Sequence, residues 1–122
     1  MLIFSTSSPV SYELCNQVVT VYHRVGDIYT RTVHKHAFLD FRKNENVNNT
    51  GNRETNSFLL VIPGETVQIF VGDKVMLGEG PECSSREDWA ELIPAKADGL
   101  VVVQYVDFKY WNGRVCHVEA GG

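Results

Sequence analysis

Helical periodicity is nearly missing from this chain of 122 residues. Apolar residues do not recur at i, i+3, i+4 and i+7 over any long stretch, so the molecule is not built from helices. Cysteine is scarce and poorly spaced for chemistry. Cys15, Cys83 and Cys116 form no CxxC or CxxH pattern. An odd count fits reduced thiols of a cytosol better than a disulfide framework. An excess of positive charge is lacking too: Lys and Arg total 11 against 15 Asp and Glu, a net charge of -4. That balance is poor for gripping nucleic acid through its phosphates, which takes clustered Lys and Arg; it is compatible with simple solubility, or with a surface that DNA slides past. Long hydrophobic runs are absent, so no segment reaches the roughly 20 residues that cross a membrane as a helix. The opening "MLIFSTSSPV" has no basic residue before its short apolar run, which argues against a signal peptide.

What the chain does contain is ordinary for a soluble globular domain: 43% apolar and 21% charged residues. A chain of this length forms one domain that buries roughly two-thirds of its unfolded surface, without help from a disulfide or a metal. "NQVVTVYHRV" is β-branched and aromatic and reads as a strand over 17–25, closed by a turn at Gly26-Asp27. "YTRTVHKHAFLDF" is a second strand over 29–41. "RKNENVNNTGNRETN", 42–56, is almost wholly polar, and its composition predicts a mobile loop open to cleavage at Arg42, Lys43 or Arg53. "SFLLVIPG" returns to strand character. "VQIFVGDKVMLGEG" has the look of a hairpin turning at Gly72-Asp73. "SSREDWAEL" is the one helix candidate: Ser84 or Ser85 caps it, acidic residues fill its first turn, Pro94 stops it, and Trp89, Leu92 and Ile93 face the sheet.

The final "YWNGRVCHVEAGG" carries the strongest short hairpin signal, Asn112-Gly113. A two-residue loop there pairs Trp111 with Arg114, Phe108 with His117 and Val106 with Glu119. Alternation then leaves both faces of the hairpin apolar, and a sheet apolar on both sides needs cover on both sides. The chain has little left to supply it. Tyr105, Phe108, Tyr110, Trp111, Val115 and Val118 are therefore the expected subunit contact. The expected fold is all-β: a small antiparallel β-barrel or sandwich with one short helix, in a single domain spanning 1–122.

Sites for chemistry are weak. His34 and His36 stand at i, i+2, with His117 a conceivable third ligand, but no carboxylate or thiolate spacing completes a metal set. Cys116 and His117 are adjacent on a strand, so they point to opposite faces and form no dyad. Cys83 precedes the helix candidate but has no assigned base. The glycine-rich "VGDKVMLGEGPE" has neither phosphate-loop nor dinucleotide spacing and reads as turn chemistry. Nothing assembles a nucleophile, a base and an oxyanion site, so the expectation is a protein that is not an enzyme and takes no cofactor.

Five stretches together resemble the small head-closure (stopper, or head–tail connector) proteins of tailed bacteriophages and prophages. They are "VTVYHR" at 19–24, "YTRTVHKHAF" at 29–38, "LLVIPG" at 59–64, "VGDKVMLGEGPE" at 71–82 and "VVVQYVDFKYWNGRVCHVEAG" at 101–121. Where that family closes on an "HW", this chain has His117-Val118, and "MLIFSTSSPVSYELC" has no counterpart. The resemblance implies a small β-barrel or sandwich whose copies form a ring below the portal and close the DNA channel. It implies portal or adaptor and tail proteins as partners, DNA passing through without specific binding, no membrane, and a place in the virion after assembly in the bacterial cytoplasm. A tail component, or a small β-barrel binding module of the host, are the alternatives. One consequence is testable on the protein alone: zinc should leave the melting temperature where a chelator leaves it. A zinc-dependent rise abolished by His34→Ala would restore the metal reading.

Overall fold

The computed structural model describes residues 11–48 and 51–122, with side chains outside 41–56. Among the described residues lie β1 (Gln17–Val25), β2 (Ile28–Asn48), β3 (Gly51–Pro63), β4 (Lys74–Leu77), α1 (Arg86–Glu91), β5 (Leu100–Val102), β6 (Tyr105–Trp111) and β7 (Arg114–Gly121). Every ladder is antiparallel, in the order β5-β4-β1-β2-β3-β7-β6. The all-β expectation holds. No ladder among the described residues joins β5 to β6, so the sheet is open and not a closed barrel.

Two segments pass from one half of this sheet to the other. β2 is the first. Its start pairs with β1 as far as Ala37, and from Phe38 it pairs with β3. Between Val19↔His34 and Gln17↔Ala37, β1 advances two residues while β2 advances three. The extra residue is a β-bulge, which bends the strand and lets it turn a corner between half-sheets. Gln17 accepts a 2.7 Å hydrogen bond from the Leu39 amide through its side-chain oxygen, so a side chain replaces a ladder bond at the bend. The second crossing is shorter. β5 and β6 sit at opposite ends of the strand order, yet only Val103 and Gln104 separate them. Val103 still bonds the β4 side, donating to Asp73 O at 2.9 Å and accepting from Gly72 N at 2.8 Å. Gln104 already donates to Gly121 O of β7 at 2.8 Å.

The core lies between the halves. One cluster takes Val19 and Val21 from β1, Val75 from β4 and Val101 from β5, and meets Leu60 and Ile62 of β3 and Val118 and Ala120 of β7. Burying each such aliphatic side chain is worth about 1.5–3 kcal/mol. A second cluster packs on the outside of β1, where Tyr22, Cys83, Leu92 and Leu100 gather with Trp89 and Met76. The helix is set by Ser85, whose hydroxyl accepts from Asp88 N at 3.1 Å. It ends at Glu91, before Pro94, because the Leu92 amide folds back on Trp89 O at 3.1 Å and Leu92 buries. Lys74 fastens it from below, with Nζ donating to Trp89 O at 2.8 Å and lying 4.6 Å from the Trp89 ring centroid. Burial lowers the Lys74 pKa.

The glycine-rich stretch is held as a tied loop. Thr20 Oγ1 donates to Gly78 O at 2.7 Å and accepts from Gly80 N at 2.8 Å. Tyr22 OH donates to Pro81 O at 2.7 Å. The Arg31 guanidinium clasps Gly80 O through Nε at 3.0 Å and Nη2 at 2.5 Å. A Cβ at Gly80 would strike the Tyr22 hydroxyl and come within 2.9 Å of Met76 Sδ, so this loop needs glycine for close approach.

Three expectations are corrected. The polar segment 42–56 is not a loop: Arg42 pairs with Ser57, Lys43 with Asn56 and Arg53 with Asn46, as β2 and β3 run on together, with 49–50 outside the described residues. Composition misled because backbone pairing between two strands does not require apolar alternation. Gly72-Asp73 does not join a hairpin, since 67–70 is not strand. The turn runs from Phe70 to Asp73, with Asp73 N on Phe70 O at 3.0 Å and Gly72 at φ 95, the third position of a type II turn. In the closing hairpin, Trp111↔Arg114 is as expected, but Cys116 bulges out of the ladder. Phe108 therefore opposes Val118 and Val106 opposes Ala120, not His117 and Glu119. The bulge frees Cys116 O to accept Gly64 N at 2.9 Å from the end of β3.

Asn112 at φ 52 and Gly113 at φ 77 form the expected two-residue turn. Gly113→Val should cost on the order of 1 kcal/mol or more, read as a lowered urea midpoint at unchanged slope. Gly113→Asn, whose side chain tolerates the left-handed region, should cost less.

Candidate functional site

β6 is the terminal strand of one half-sheet. β7 covers one of its edges, and no described strand covers the other. Alternation sends Val106, Phe108 and Tyr110 to the core face and Tyr105, Asp107, Lys109 and Trp111 to the outer face. Only Val106 reaches the core cluster. Phe108 keeps 40% of its surface exposed, Trp111 44%, Tyr105 48% and Tyr110 66%. The Tyr105 ring lies over Gly121, where a Cβ would stand. Lys109 and Asp107 form a 2.7 Å ion pair on the outer face, and this hydrogen bond raises the Lys109 pKa. Four of the expected contact residues, Tyr105, Phe108, Tyr110 and Trp111, are thus exposed. Val115 is half-buried, and Val118 is wholly buried. The last is a correction: the Cys116 bulge turns Val118 into the chain's own core and leaves it no surface for a partner. Together the exposed aromatics form an apolar row along an open edge, a feature that monomeric proteins normally cover or charge.

A second cluster joins the start of the described chain to β7. Tyr12 OH meets His117 Nδ1 at 2.7 Å, and His117 Nε2 meets Glu119 Oε2 at 3.0 Å. His117 is buried, so both ring nitrogens are satisfied by protein. A neutral imidazole accepting from the phenol and donating to the carboxylate satisfies all three groups. The cluster ties the start of the described chain to β7. Beside it opens a cleft of about 210 Å³ lined by Tyr12, Leu14, Cys15, Phe38, Val61 and Glu119. Cys15 is buried there, and burial raises its pKa, which keeps it a thiol. Sequence reasoning missed Tyr12, which is 105 residues from its partner. The i, i+2 placement of His117 and Glu119 on one strand face was the available local signal.

The remaining histidines separate. His23 Nδ1 contacts Asp73 Oδ1 at 2.5 Å, with its ring 4.6 Å from that of Phe70. The other Asp73 oxygen accepts Phe70 N at 2.9 Å, so one buried carboxylate serves both the turn and the histidine. This pair was not anticipated either. His34 and His36 flank the bulge and enter different surroundings. His34 is half-buried with Nε2 unpartnered, and His36 is exposed. Among the described residues, no three His, Cys, Asp or Glu converge as a metal set. Burial raises the Cys83 pKa as it does that of Cys15. No described helix is long and apolar enough to cross a membrane. Compared with family models, curated proteins and solved structures, the chain finds no match.

Burial lowers the His34 pKa from 6.5. The unfolded chain therefore takes the proton first as pH falls. The His34 contribution is fully present above 6.5 and is lost as pH drops from there through the folded value. Melting temperature should decline as pH falls below 6.5, and His34→Phe should flatten that decline. An identical pH profile in the variant would assign the dependence to another group.

Proposed function

We propose that this chain is a structural protein of a tailed-phage or prophage virion, a head–tail connector subunit whose copies form a ring below the portal. The observation that carries the reading is the open, aromatic edge of β6. Four large exposed side chains on one short strand suit a surface made for neighbouring protein. The long ribbon of β2 and β3 adds to it. Over 51–56 no described third strand pairs with this ribbon, and isolated two-stranded ribbons are marginal in water. Such an arm suits insertion against an adjacent subunit. The titratable clusters support a structural role as well, because His117 and His23 spend their ring contacts on fastening segments of the chain. A net charge of -4 suits a lumen that passes DNA without holding it. The partners are then further copies, portal or adaptor proteins and tail proteins, and the location is the virion. A tail component would draw on the same surfaces.

Deleting the gene from an inducible prophage tests the proposal. Capsids should package DNA and then leak it, or fail to join tails, when viewed by electron microscopy. Infectious, tailed, DNA-filled particles would overturn it and favour a binding module of the host.

A further inference from the structure

We infer that the free chain pairs with a second copy of itself, β6 against β6, antiparallel about a two-fold axis at Phe108. The strand reads Tyr-Val-Asp-Phe-Lys-Tyr-Trp over Tyr105–Trp111. In a two-fold antiparallel pair the axis stands perpendicular to the sheet. Directly opposed residues must share a face, so the axis has to pass through a residue position and not between two. Only a few centres retain most of the strand. Centred on Asp107 or on Lys109, the pairing sets a charge against its own copy. Centred on Phe108, it sets Asp107 against the partner's Lys109 and Lys109 against the partner's Asp107. The same register opposes Tyr105 to the partner's Trp111, Val106 to the partner's Tyr110, and Phe108 to the partner's Phe108. Every pair is then either of opposite charge or apolar, and all seven residues are used.

Charge complementarity thus selects the occupant and its register. Asp107 and Lys109 already lie together on the outer face at 2.7 Å, with their side chains 53% and 44% exposed, so both remain reachable. Pairing would cover the exposed surfaces of Tyr105, Phe108, Tyr110 and Trp111 and occupy the main-chain edge that β7 leaves open. Such a contact uses the same patch on both copies and closes at two. It therefore caps an edge that would otherwise recruit further strands. This resting pair goes beyond the ring reading and does not require it.

Sedimentation of the full chain over a concentration series tests the inference. The expected result is a dimer that dissociates on dilution. K109D places four carboxylates at the seam and should weaken dimerisation about tenfold or more. D107K should do likewise with four ammonium groups. The double variant D107K/K109D should restore the dimer, because the reversed pairs are again opposite in charge. Unchanged circular dichroism would show that these exposed substitutions leave the fold intact. The register has its own readout in a C116S background. F108C, opposed to itself at the axis, should form an intermolecular disulfide on mild diamide oxidation, and Y110C should not. A monomeric chain at about 100 μM, an unrescued double variant, or cross-linking at 110 and not 108 would each overturn the pairing.

Discussion

The rest of the structure depends on the bend in β2 between His34 and Ala37. A straight strand of this length would extend one broad sheet, with Val19, Val21, Leu60 and Ile62 facing water. The bulge lets the strand leave the β1 side and join β3 at an angle, so the two apolar faces meet. Gln17 helps hold the bend through its bond to the Leu39 amide. The shorter crossing at Val103 and Gln104 does the same at the opposite corner, where successive amides bond to different halves of the sheet. Hydrophobic burial supplies the driving force, and these two corners decide which surfaces can be buried together.

Polar side chains then fix what the core does not reach. Thr20, Tyr22 and Arg31 hold the 78–81 loop against β1 and β2, and Lys74 holds the helix. Asp73 closes the turn before β4 while meeting His23, and His117 ties Tyr12 to β7. Apart from the local Asp73 turn bond, each joins segments distant in the chain. A buried polar group left unpaired costs about 1–3 kcal/mol, so these pairings also make the loops specific. The rings of His23 and His117 make their contacts within the chain.

Assembly connects to the fold through the second corner. The chain that crosses at Gln104 becomes β6, which has left β4 and, among the described strands, pairs with β7 alone. Its far edge is open because the barrel does not close. Of its aromatic residues, Phe108 and Tyr110 lie on the core face and Tyr105 and Trp111 on the outer face, and all four stay exposed. The unfinished surface of this open sheet is local, apolar and already in strand geometry.

Local chemistry made much of this legible in advance. The bounds of β1, the turn at Gly26-Asp27, the Ser85 cap and the positive-φ turn at Asn112-Gly113 all follow from residues within a few positions of one another. Tyr105, Phe108, Tyr110 and Trp111, exposed in the fold, were visible as an apolar excess on a strand. What tertiary structure alone decided were the two bulges, the pairing of the polar segment 42–56, and the meeting of Tyr12 with His117. Turn and cap preferences act along a few residues, so a sequence displays them directly. A bulge sits where a distant strand and a shared core require the chain to bend. One inserted residue there reverses the face of everything beyond it, which is why Val118 shares the core face with Phe108 instead of lying on the outer face with Tyr105 and Trp111.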